Sequence, residues 1–148
     1  MYMRNRIFLA AVLLALMALP GLASAASPDD VTRVVYHVNQ GDPAVHIGAL
    51  RNVQNHINAV GAENMDIKVV MHGGGLNLLL GANENPDLQA AVDSLKLQGV
   101  EFQVCENTLV SRNIALDALY DATAEDVVTS GVAQLSILQR QGYTYIKP

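Results

Sequence analysis

The chain holds one cysteine, Cys105, and four histidines, His37, His46, His56 and His72. Cys105, His37 and His72 lie at the ends of apolar, β-branched runs: "VTRVVYHV" (31–38), "MDIKVVMH" (65–72) and "VEFQVC" (100–105). Bounded by turn residues, each run reads as a strand. If the strands are parallel and adjacent, their carboxyl ends share one rim, where open α/β sheets collect ligands and chemistry. His46, in the first turn of the helix expected after the first strand, comes near the same rim. A thiol beside imidazoles suits nucleophilic sulfur chemistry, since the thiolate is the reactive form.

Cys105 precedes a helix start expected at Asn107 or Thr108. Unpaired N–H groups and the positive end of a helix dipole favour a thiolate there, as does a protonated histidine, whereas Glu106 opposes it. A single cysteine forms no bridge within its own chain. It is therefore a buried inert thiol, a link between chains or a reactive group, and its position raises the third. His37, His46, His72 and Cys105 are the right atoms for zinc or copper. Yet the chain has no short-spaced pair such as C-x-x-C, and ten residues of helix turn His46 and His56 to different faces. No metal and no cofactor is expected, and His56 is expected as a plain surface or partly buried helix residue.

"HGGGL" (72–76) admits other chemistry. An HGGG turn supplies oxyanion-hole N–H groups in some lipases and esterases, but no serine here sits in the G-x-S-x-G elbow that chemistry requires. As a dinucleotide fingerprint the run fails, because Leu78 stands where the third glycine belongs. What remains is a tight turn where backbone approaches backbone, with the N–H groups of Gly73 and Gly74 offered to an anion at the rim. Helix capping accounts for Asn107 and Thr108. Arg112 either is solvated or holds an anionic sulfur species or a partner's carboxylate.

The elements that position these residues alternate regularly. After the first strand, Asp42 and Pro43 start an amphipathic helix that carries Leu50, Val53, Ile57 and Val60 and ends at Gly61. The second strand ends at the glycines 73–75. "NENPD" (83–87) then begins a helix to about Gln98, and the third strand follows. A helix from Asn107 or Thr108 to about Tyr120, a short strand around Val127 and Val128, a helix from Ser130 to near Gly142 and a last strand (143–146) complete the order. Helices between consecutive strands leave room for right-handed crossovers. The fold expected is a three-layer α/β/α domain with a mostly parallel five-stranded sheet.

The amino terminus reads differently. Arg4 and Arg6 precede an apolar run, Ile7 to Leu19, then Pro20, Gly21 and Ala23-Ser24-Ala25. This is the pattern of a signal peptide cleaved after Ala25, and the run is shorter than the ~20 residues a membrane span needs. One domain, 26–148, would remain, in the periplasm. Without Arg4 and Arg6 it carries seven basic and fourteen acidic residues, a formal charge of −7. Such a balance without a basic cluster disfavours nucleic acid and anionic membrane surfaces as partners.

"VVMHGGGLNLLL" (69–80), "GVEFQVCENTL" (99–109) and "SGVAQLSILQRQGYTYIKP" (130–148) together resemble the DsrE/DsrF-like family of sulfur-relay proteins. The resemblance spans about residues 31–148. It implies a small α/β domain, often assembled as trimers or hexamers. In sulfur-transferring members, a cysteine at a strand end carries sulfur as a persulfide between a donor and an acceptor protein, and Cys105 matches that position. Some members lack the cysteine. The arginine–glycine pair that tends to follow the thiol corresponds here to Arg112-Asn113, and the well-known members are cytoplasmic. Two functions follow: an exported persulfide carrier using Cys105, with His37, His72 and the glycine turn around it, or a non-catalytic oligomeric module for a small anion or metal with an inert thiol. A carrier needs an outside donor and acceptor, so whether this is an enzyme stays open.

Overall fold

A computed structural model describes residues 31–148; the segment read as a signal peptide, 1–25, lies outside the described residues. Strand β1 (Thr32–Val38) leads into α1 (Pro43–Val60). Asp42 caps that helix by accepting the Ala44 N–H at 2.9 Å, with Pro43 pre-set for its first turn. After β2 (Met65–Met71) a tight turn, Gly73–Leu76, runs directly into α2 (Asn77–Ala82). Asn85 caps α3 (Pro86–Leu97) by accepting from the N–H groups of Asp87 and Leu88. Then β3 (Glu101–Cys105) passes without a loop into α4 (Glu106–Arg112). Two residues form β4 (Val127–Val128), Ser130 caps α5 (Gly131–Arg140), and β5 (Thr144–Ile146) ends the sheet.

The strand order is β4-β3-β2-β1-β5, and all the pairings are parallel, as the expected fold class requires. From β1 to β4 the chain steps one way across the sheet, so right-handed crossovers stack α1 to α4 on one face. The step from β4 to β5 goes back, which places α5 alone on the other face. Packing follows this division. Val34, Tyr36, Val38, Ile67, Val69, Met71, Phe102 and Val104 face the large core with Leu50, Val53, Leu79 and Val92. Val35 and Val70 meet Leu135, Leu138 and Tyr143 on the α5 side. That thinner side is finished with polar contacts: Lys68 pairs with Asp66 at 3.2 Å, and Gln134 of α5 donates to Gln103 of β3 at 2.9 Å. No helix among the described residues is long and apolar enough to cross a membrane.

Two elements differ from the sequence expectation. Helix α2 was not expected, because an apolar run flanked by glycines has no diagnostic period; burial of Leu76, Leu78, Leu79 and Ala82 selects the helix. The helix expected to reach Tyr120 stops at Arg112. Asn113 adopts a left-handed conformation, φ 50°, and the Ile114 N–H turns back to the Leu109 carbonyl at 2.9 Å.

Candidate functional site

In the register of β2 and β3, Met71 pairs with Val104, so His72 and Cys105 leave the sheet side by side. His37 pairs with Val70, whose side chain faces α5. Side chains alternate along strands, which brings His37, His72 and Cys105 to the α5 face at the carboxyl rim. The first residue of α5 seals them together. A methyl group on Gly131 would lie 3.0 Å from His72 Cβ and 3.3 Å from Cys105 Cβ, a tight fit that would make these neighbours give by a few tenths of an ångström. Gly131 escaped the sequence reading because nothing local marks it; the Ser130 cap before it gave the helix start but not what the helix touches.

Cys105 is 4% exposed and is itself the N-cap residue of α4, where Asn107 or Thr108 was expected. The strand runs straight into the helix, which moves the boundary two residues earlier and puts Asn107 and Thr108 inside the first turn. Burial pushes the Cys105 thiol up, but the polar groups around it, the Thr108 hydroxyl first and then the Gly131, Thr108 and Asn107 N–H groups, outweigh burial and hold it below its ordinary value. The Thr108 hydroxyl, 7% exposed, also accepts the Gly73 N–H at 2.9 Å. Thr108 therefore anchors the glycine turn to the first turn of the helix that Cys105 caps.

Two N–H groups of the glycine turn are engaged within the chain. The Gly73 N–H goes to Thr108 and the Gly75 N–H to the His72 carbonyl at 3.0 Å. A side chain on Gly74 would lie 2.6 Å from the Gly41 nitrogen, and one on Gly75 would overlap the Val38 carbonyl. The expected close backbone approach is present, against the loop after β1. Arg112 is exposed yet engaged, donating through Nη1 to the Gly73 carbonyl and through Nη2 to Asn77 Oδ1, both at 2.8 Å. It clamps the turn to α2, a role that neither sequence alternative included.

His37 and His72 meet through their Nε2 atoms, 2.7 Å apart, with ring centroids 4.8 Å apart and planes inclined by 26°. His37 Nδ1 makes a second bond, 2.7 Å, with the Tyr145 hydroxyl. Burial, the His72 charge and the Lys147 charge push His37 down to about 4, and burial with Lys147 lowers His72 as well. Both rings are therefore neutral at neutral pH, so one Nε2 donates and the other accepts. Tyr145 was not singled out from the sequence. It reaches the site because β5 inserts beside β1, with Tyr145 in register with Val35.

The structure does not join His46 to this cluster. His46 is 2% exposed, and its Nε2–H donates to the Gln40 carbonyl at 2.7 Å, bracing the loop after β1. Its position on the buried stripe of α1 overrides its nearness in sequence to the strand end. His56 Nδ1 is bonded to the Tyr36 hydroxyl at 2.9 Å, part-buried as expected. Among the described residues, no group of three histidine, cysteine or acidic side chains is placed to hold a metal ion. A groove of about 480 Å³ between α1 and α3, lined by Leu50, Leu88 and Leu95, lies in the opposite layer from Cys105.

A family model described as DsrE/DsrF-like matches residues 33–148. The chain belongs to the DsrE/DsrF-like family. Among solved structures it is similar to MTH1491 of Methanobacterium thermoautotrophicum, described as a protein of unknown function. That match has 30% identity and a TM-score of 0.67, over 79% of this chain and 99% of the other. It shares the fold of the ychN protein from E. coli at 16% identity and a TM-score of 0.62, again over 79% of this chain and 99% of that one. No curated protein matches it. Asn113, next to Arg112, holds the left-handed conformation that glycine adopts most easily.

Proposed function

We propose that this DsrE/DsrF-like protein carries sulfur as a persulfide on Cys105, and that it does so in the periplasm after cleavage behind Ala25 leaves the single domain 26–148. What supports the reading is the thiol's place: Cys105 ends β3 and is the N-cap residue of α4, where the helix start, the Thr108 hydroxyl and the neighbouring N–H groups favour its anion. In the loading step, the Cys105 thiolate attacks the outer sulfur of a donor persulfide. A new sulfur–sulfur bond forms at Cys105, and the donor's own sulfur–sulfur bond breaks. Its electron pair leaves on the donor thiolate, which takes up a proton. Unloading is the same exchange with an acceptor thiolate as attacker, so no external oxidant or reductant is consumed. Family resemblance supports a homo-oligomer, trimer or hexamer, as the acting form.

Intact mass of the protein purified without reductant, before and after exposure to polysulfide, tests the reading. A gain of whole sulfur atoms that reductant reverses and Cys105→Ser abolishes is the expected result; full loading of the serine variant would end the proposal. A second reading rests on the thiol's low exposure: an oligomeric module for a small anion or metal, with Cys105 inert. Alkylation that occurs only after unfolding would favour it.

A further inference from the structure

We propose that His37 and His72 form a two-coordinate site for a cuprous ion, held between their Nε2 atoms, with the Tyr145 hydroxyl orienting His37. The inference goes beyond the persulfide reading and stands whether or not Cys105 carries sulfur. Strand register builds the pair: His37 is in register with Val70, and His72 lies two residues further along the same face. The two nitrogens are 2.7 Å apart. A ring-centroid separation of 4.8 Å is close to the longest that such a contact allows, so the nitrogens point nearly straight at each other. His37 Nδ1 meets the Tyr145 hydroxyl at 2.7 Å, and a proton on Nδ1 donated to that oxygen leaves Nε2 with a bare lone pair.

Neutral imidazole is a good copper ligand, and the number and direction of the donors choose the oxidation state. Among the described residues no thiol or acidic side chain is placed to join the two rings as a third ligand. Two neutral donors facing each other in a line are what closed-shell monovalent copper accepts, whereas zinc takes a tetrahedral set. The Lys147 charge, felt by both rings, opposes any cation here, and it opposes a single charge less than a double one. In the empty pair one hydrogen lies between the nitrogens, and the ion takes its place. The ring that gives up this hydrogen carries it at Nδ1 instead, so no proton is released and no electron moves. A separation of 2.7 Å admits a hydrogen but not a copper ion, so the rings part as the ion enters. His37 and His72 are half-buried and the His37–Tyr145 bond lies at the surface, which leaves that side free to give.

Copper(I) is titrated anaerobically into the purified protein against the coloured chelator bicinchoninate, and the bound ion is examined by X-ray absorption. The expected result is one ion per chain with two nitrogen neighbours and no sulfur. Loss of an orienting partner usually lowers metal affinity about 10–100-fold, and Tyr145→Phe is expected at the lower end of that range, with His37→Asn and His72→Asn losing at least as much. Lys147→Met should bind more tightly; Lys147 is exposed, so this variant reports charge rather than folding. Cys105→Ser should bind copper as the wild type does. Wild-type affinity in either histidine variant, a copper–sulfur bond, binding that Cys105→Ser abolishes, or no gain in Lys147→Met overturns the site. Sulfur loading of the copper-free protein is followed by mass in parallel. Its failure ends the persulfide reading and leaves the copper site standing, and failure to bind copper does the reverse.

Discussion

Thr108 ties the turn at Gly73 to the helix that Cys105 caps: its hydroxyl accepts the Gly73 N–H at 2.9 Å, three residues beyond the thiol it helps hold below its ordinary value. Thr108→Val keeps the shape and removes the hydroxyl. The thiolate is then less favoured, so alkylation of Cys105 at neutral pH is expected to slow severalfold. Thr108→Ser should hold most of the wild-type rate. Equal rates in the valine and wild-type proteins would remove Thr108 from the account.

Gly131→Ala places a methyl group against His72 Cβ and Cys105 Cβ. Overpacking of this kind costs about 1–3 kcal/mol, to be read as a lower urea midpoint with an unchanged slope. The same substitution should disturb thiol reactivity, because the added methyl group presses on Cys105 Cβ and shifts the start of α5. An unshifted midpoint would show that α5 does not close on the site as described.

Stability should fall with acid because of His37. Its folded value, about 4, lies below the ordinary 6.5, so the unfolded chain binds the proton first. The His37 contribution is complete above 6.5 and is lost as pH falls from there through about 4. His72 acts in the same direction, while Lys147→Met should raise both histidines and soften the slope. Denaturant midpoints across that window, compared with His37→Asn, check this. A slope unchanged in the asparagine variant would contradict it.

Much of the site was legible because its three central residues end strands. Runs of β-branched residues bounded by turns located β1, β2 and β3, and parallel pairing then fixed His37, His72 and Cys105 on one rim. Residues brought in by tertiary structure were not legible. Tyr145 joins only because β5 lies beside β1, and Gly131 matters only because α5 crosses to the other face. His46 shows the opposite failure: near the rim in sequence, it belongs to the buried stripe of α1. Arg112 looked available as a charge, yet its clamp partners lie 39 and 35 residues away.

Asn113 offers a test of the loop after the thiol. Glycine at this left-handed position should stabilise by up to about 1 kcal/mol and leave thiol reactivity unchanged, whereas a β-branched residue should destabilise. Thermal unfolding of Asn113→Gly and Asn113→Val reads both signs. A stabilised valine variant would mean that the helix does not end as described.

Sulfur that enters must also leave, and that is the most direct measurement of a carrier. The protein is loaded with polysulfide, freed of excess reagent and mixed with a small thiol acceptor, and the masses of both are followed. The account predicts that the protein loses one sulfur mass as the acceptor gains one, and that Cys105→Ser never enters the exchange. A loaded protein that keeps its sulfur in the presence of acceptor, or sulfur held at a site other than Cys105, would contradict it.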